Sequence, residues 1–168
     1  MSFLEGQKVD YMILEGFALP AFGAIRTTAD LDIAVRIETK TKFESFLGLA
    51  RTSGFEPVIA SYSNPVNVFR DVKSGLEVEL WLRPDGVVWN KETLRRRVRV
   101  MIGETSFWAI SPEDFVVSKL ARPDRGVQDE KDVKSVMVRL RNSIDRRYLA
   151  VRASKEGVSA MLMAIARA

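Results

Sequence analysis

The sequence predicts an α+β (mixed α/β) fold: a small mixed sheet flanked by helices, followed by a helical C-terminal part. Three observations carry this. Strand-length apolar runs alternate with helix-periodic stretches up to about residue 110. Two pairs of strand-like segments are separated by short glycine-containing loops, the pattern of hairpins. From Ser111 onward the periodicity becomes helical, with no flexible linker at the join. The expected organisation is an α/β core over residues 1–110 and a helical extension packed on it over 111–168. A chain of 168 residues is long enough to bury such a core without disulfides.

Each element has its own warrant. Val9 to Leu14 is an apolar run suited to a buried strand. Gly16 follows, and Phe17 to Phe22 reads as a short helix whose Pro20 is tolerated in a first turn. Leu31 to Ile37 is strand-like and is entered through the polar turn Arg26-Thr27-Thr28-Ala29. Phe43, Phe46, Leu47 and Ala50 recur at helical spacing, and Gly54 ends that helix. Val66 to Arg70 and Leu76 to Leu82 flank a turn containing Gly75, and Pro84-Asp85-Gly86 closes the second strand. Val98 to Ile102 and Ser106 to Ile110 form a second hairpin around Gly103-Glu104. Ser111-Pro112-Glu113-Asp114 is a strong helix start, with a capping Ser, a first-turn Pro and early acids. A helix from Gln128 to Leu140 follows, and the tail holds one or two more, ending in Met161 to Ile165.

Composition narrows the chemistry. The chain has no Cys and no His. Thiol nucleophiles, Ser-His-Asp triads and imidazole acid–base catalysis are therefore excluded. Any metal must be held by oxygen, which favours Mg²⁺, Mn²⁺ or Ca²⁺ over zinc or copper. No apolar stretch is long enough to span a membrane, and no signal-peptide pattern opens the sequence, so a cytoplasmic protein without a membrane partner is expected. The charge is split: residues 1–90 carry −3 and residues 91–168 carry +7. An acidic half beside a basic half suits metal ions plus a polyanion, or simply a solvated surface.

The informative segment is Arg26-Thr27-Thr28-Ala29-Asp30-Leu31-Asp32-Ile33. Asp30 and Asp32 are two apart on an expected strand and so project from one face, while Leu31 and Ile33 face a core. Two adjacent carboxylates need a cation between them, a shared proton or full hydration. Glu77 and Glu79 share one face of another strand in the same way. If the two strands are neighbours, one of these glutamates completes a three-carboxylate site.

A small-residue turn after an apolar strand, a short helix, then Asp-hydrophobic-Asp-hydrophobic resembles the nucleotidyltransferase superfamily that includes DNA polymerase beta. Thirteen residues separate Gly16 from Asp30, within that family's range. The wider string from Gly16 to Ile33 looks like the minimal prokaryotic branch, which holds abortive-infection and type IV toxin nucleotidyltransferases and uncharacterised archaeal and bacterial relatives. Leu76-Glu77-Val78-Glu79-Leu80-Trp81 lies where the family has its third metal carboxylate, and the usual pattern aligns Glu79 with it. Ser111-Pro112-Glu113-Asp114 through Lys119-Leu120 resembles the family's Pro-Glu-Asp-Leu … Lys-Leu helix, and Arg125 … Asp129 … Lys131-Asp132 resembles the segment after it. The resemblance covers roughly residues 9–140.

The resemblance implies Mg²⁺ (or Mn²⁺) held by Asp30, Asp32 and Glu79, which are also the catalytic residues. It implies an NTP contacted by Gly16, Arg26, Thr28, Lys119 and Asp132. A hydroxyl acceptor, whether RNA, protein or small molecule, would receive a nucleoside monophosphate. An antitoxin-like partner is implied for the toxin branch. Glu15 stands where the family usually has Gly, and three placements are open to it: turned away, on a metal, or filling the phosphate position of a degenerate module that binds nucleotide, RNA or a partner protein. The basic stretch Arg95-Arg96-Arg97-Val98-Arg99 is either a grip on RNA or nucleotide phosphates or a surface junction.

Overall fold

The computed structural model describes residues 1–24 and 30–167; Arg26 and Thr28, expected at the nucleotide, lie outside the described residues. Seven strands form one sheet in the order β3-β4-β5-β2-β1-β7-β6. In chain order they are β1 (Tyr11–Ile13), β2 (Leu31–Val35), β3 (Phe55–Ile59), β4 (Val66–Asp71), β5 (Glu77–Trp81), β6 (Val98–Ile102) and β7 (Thr105–Ala109). The helices are α1 (Ser2–Gly6), α2 (Glu15–Ala18), α3 (Lys40–Thr52), α4 (Lys91–Arg96), α5 (Pro112–Ala121), α6 (Val127–Arg139), α7 (Arg146–Lys155) and α8 (Ser159–Arg167). The sheet is mixed: β2 runs parallel to β5 and antiparallel to β1, and β1 runs parallel to β7.

Both expected hairpins form, β4–β5 and β6–β7. The helix expected over Phe17 to Phe22 divides into α2 and a 3₁₀ turn over Leu19–Phe22, because Pro20 cannot donate a helical hydrogen bond. Three elements carry too weak a pattern to be read from the sequence. β3 contains Pro57, which a sheet tolerates on an edge strand, and β3 is an edge. α1 is only five residues long and buries Leu4. α4 is held by its cap, the Asn90 side chain accepting from the Thr93 backbone N–H at 2.9 Å.

Alternation along β2 and β5 divides the sheet into two faces. Leu31, Ile33, Val78 and Leu80 join Phe69 on the face covered by α1 and α3, where Phe46 meets Phe3 at 5.6 Å and Phe69 edge-on at 5.9 Å. Asp32, Glu79 and Trp81 point the other way. The buried hydrophobic residues run without a break from Leu4 in α1 to Val158 before α8.

Two features set the ends of α5. Ser111 caps the helix by accepting from the Asp114 N–H at 3.1 Å, as its Ser-Pro-Glu-Asp start predicts. The turn after β5 presses on the other end: Gly86 has φ +65°, and a Cβ there would lie 2.9 Å from the Ser118 Cα. Gly86→Ala therefore meets both a left-handed backbone and a backbone clash. It is expected to cost about 1–3 kcal/mol, read as a lower urea midpoint at unchanged m value.

Candidate active site

The parallel pairing of β2 and β5 places Asp32 and Glu79 side by side as register partners. Neighbouring strands lie about 4.8 Å apart, so the two carboxylates project from adjacent backbones on one face. Asp32 is buried at 7% exposure, and the Trp81 indole N–H donates to its Oδ1 at 3.0 Å. Asp30 is exposed one residue before β2. Glu77 shares the Glu79 face but is committed to Arg70, whose guanidinium donates to its Oε1 at 2.6 Å. Of the two glutamates, only Glu79 is in register with Asp32.

Burial pushes the Asp32 carboxyl up to about 7, and the negative charges of Glu15 and Glu79 push in the same direction against the Trp81 hydrogen bond. Among the described residues no group of three or more carboxylates gathers as a metal cage. That does not count against magnesium, which is ordinarily held by one or two carboxylates with water and substrate phosphates supplying the rest. An all-oxygen donor set carrying like charge in a partly dry position fits such an ion.

Positive charge comes from α5. Lys119 is 2% exposed, far from a lysine that reaches along the surface to water. Its ammonium donates to Asp129 Oδ1 at 2.8 Å and lies 3.9 Å from Asp132 Oδ2. It also pairs with Glu15. Burial alone would raise the Asp129 carboxyl, but the Lys119 ammonium and the Gly126 N–H that it accepts outweigh this and hold it below its usual value. Asp132 accepts from the Gln128 side chain at 2.8 Å. The cation is thus fixed from behind by α6.

Of the three placements left open for Glu15, the structure excludes the first, a side chain turned away. The residue heads α2 with φ +53°, and its carboxylate binds Lys119 while accepting from Arg122 Nη1 at 3.2 Å. It is neither turned away nor solely an acid of the strand pair; it sits on the two cations. Gly16, next in the chain, is buried in α2. Two residues of this arrangement escaped the sequence reading. Trp81 is two positions after Glu79, so alternation already placed it on the same face, beside Ala34, two positions after Asp32 on β2. Arg122 follows Lys119 by three, the spacing of one helix face, just past the end of α5.

The basic stretch is spent within the molecule. Arg95 and Arg96 both donate to Glu92, Arg96 also to Asp145 at 2.7 Å, Arg97 to the Tyr11 carbonyl at 2.7 Å and Arg99 to Glu5 at 2.9 Å. These contacts make it a junction between α4, β6 and the neighbouring elements, with Arg95 and Arg99 at the surface. No helix among the described residues is long and apolar enough to cross a membrane.

This mixed α+β architecture, a seven-strand mixed sheet with its flanking helices, is consistent with the nucleotidyltransferase fold. The family described as "Nucleotidyl transferase of unknown function (DUF2204)" matches residues 1–161, and the chain belongs to that family of enzymes. No curated protein sequence matches the chain. Among solved structures it is similar to the antibiotic-resistance factor ANT(2'')-Ia, with 13% identity over 96% of this chain and 90% of that one, at a TM-score of 0.59. It is similar to an antigenic nucleotidyltransferase-like protein from Paracoccidioides brasiliensis, with 17% identity over 99% and 88% and a TM-score of 0.54. It is also similar to the lincomycin-bound lincosamide antibiotic adenylyltransferase LnuA, with 12% identity over 80% and 90% and a TM-score of 0.53. At these identities the likeness is one of fold.

Proposed function

We propose that this chain moves a nucleoside monophosphate from an NTP to a hydroxyl acceptor, with Asp30, Asp32 and Glu79 holding Mg²⁺ or Mn²⁺. The observation that carries the reading is the register of Asp32 against Glu79 on parallel strands, with Glu15 linking that pair to the buried Lys119. The bound metal would lower the pKa of the attacking hydroxyl and neutralise developing charge on the phosphates. The chain's own residues divide the remaining work. Trp81 fixes one oxygen of Asp32. Lys119 and Arg122 receive the triphosphate, with the Gly16 backbone beside them, and Asp129 and Asp132 hold Lys119 in place. Glu79, half-exposed, takes the acceptor's proton as its oxygen bonds to the α-phosphorus and pyrophosphate leaves. On this reading the core supplies carboxylates from residues 1–110, and the helical extension from 111 onward supplies cations.

The acceptor class stays as wide as RNA, protein or a small molecule. The test is incubation with each labelled NTP, Mg²⁺ or Mn²⁺, and total cell RNA, protein and metabolites. The expected result is metal-dependent label on one acceptor fraction with release of pyrophosphate. No metal-dependent label or pyrophosphate from any NTP would overturn the reading.

Glu15 favours a second reading, because its carboxylate occupies the cations that a triphosphate needs. Under it the chain is a degenerate module that binds nucleotide, RNA or a partner protein without transfer. Calorimetric titration with Mg²⁺ and each NTP separates the two, since the degenerate module shows no metal-dependent NTP binding.

A further inference from the structure

We propose that Glu15 is an internal stand-in for the donor's phosphate, a residue that sets nucleotide affinity by holding Lys119 and Arg122 until a polyphosphate displaces it. The proposal rests on the nucleotidyl-transfer reading above and concerns a residue which that reading leaves without a task. Three features support it.

The first is chemistry. A carboxylate and a phosphate compete for the same ammonium and guanidinium donors, and Glu15 engages both at once. The second is position. Lys119 is shared by three carboxylates, and Glu15 is the outermost, its side chain 19% exposed against 12% for Asp129 and 6% for Asp132. When Glu15 leaves, Lys119 keeps Asp129 at 2.8 Å and is not stranded as a lone buried charge. The incoming anion therefore replaces one partner and need not dismantle the network. The third is the backbone. Glu15 adopts φ +53°, a region that Glu populates rarely, so its ion pairs form against a conformational cost. A contact held at a cost yields more readily than one its backbone favours.

The consequence is that the free protein is partly self-neutralised. A ligand must outbid Glu15, and one that brings several negative charges to two cations does so. A monoanion offers no more than Glu15 already supplies.

The experiment is calorimetric titration of inorganic triphosphate, in EDTA, into the native full chain, Glu15→Gln and Glu15→Gly. The Gly variant fits the left-handed backbone and so guards against misfolding in the Gln variant, with thermal melts run on both. Binding at least about tenfold tighter in both variants is expected, with the gain cancelled when Arg122→Ala is added. Equal, Arg122-dependent affinity in native and variant chains would overturn the inference while leaving the phosphate site standing. No binding of triphosphate to any of the three would sink the phosphate site, and the inference with it.

Discussion

Asp32→Asn is expected to lower nucleotidyl transfer by a factor on the order of 10²–10³, the usual cost of removing one group that stabilises charge in the transition state. The amide keeps an oxygen for the Trp81 indole, so the side chain stays in its place. It loses the charge that a metal ion needs. Glu79→Gln is expected to fall in the same range, because the two acids are register partners. Glu77→Gln is the internal control: Glu77 shares the face but is bound to Arg70, and its replacement should leave transfer within about twofold of native, as for most surface substitutions. The measurement is pyrophosphate release at saturating metal, paired with a thermal melt. A melting temperature no lower than native is expected for Asp32→Asn, since the change removes like-charge repulsion with Glu79 from a buried position. Transfer within tenfold of native would remove Asp32 from the reaction.

The largest expected effect on stability lies elsewhere. Asp114 is fully buried, and Arg152 on α7 is 5% exposed. Arg152 donates through Nε to Asp114 at 2.8 Å and through Nη2 to the Gly86 carbonyl at 2.6 Å. One guanidinium thus joins α7, the start of α5 and the turn after β5. Arg152→Met keeps the volume but leaves a buried carboxylate with only the Tyr148 and Ser111 hydroxyls. A loss of about 3–5 kcal/mol is expected, the cost of breaking a buried pair from one side. For a chain of this length that lowers the melting temperature by roughly 6–20 °C. Adding Asp114→Asn should recover much of the loss, because the stranded charge and not the missing bond carries the penalty. If the double variant is no more stable than Arg152→Met alone, the argument from the buried charge fails.

What the sequence made legible follows the range of each interaction. Asp30 and Asp32 show themselves through a period of two, and the α5 start through residues three apart. The pairing of β2 with β5 joins Asp32 to Glu79 across 47 positions, and no local pattern specifies it. The choice between Glu77 and Glu79 has the same character. Alternation makes them equivalent; the family pattern points to Glu79, and the register, with Arg70 opposite one and Asp32 opposite the other, tells them apart physically. Glu15 is the extreme case, since its Lys119 partner is 104 residues away. The sequence showed that this residue departs from its family's pattern; three-dimensional packing decided what it touches. β3 was hidden for a different reason. An edge strand accepts a proline and exposed residues, and with them loses the pattern that marks a strand.

The indole of Trp81 has one use that needs no substrate. Its N–H rests on Asp32, while Trp108 lies under the guanidiniums of Arg97 and Arg99. The emission of an indole responds to charge along its N–H axis, so an ion arriving at the carboxylate changes the light that Trp81 gives off. With Trp89 and Trp108 replaced by Phe, the chain carries a single tryptophan, bonded to its acid pair and excited apart from the three tyrosines. Titration of that signal with Mn²⁺ would read the occupancy of the site directly, in a protein whose acceptor need not be known.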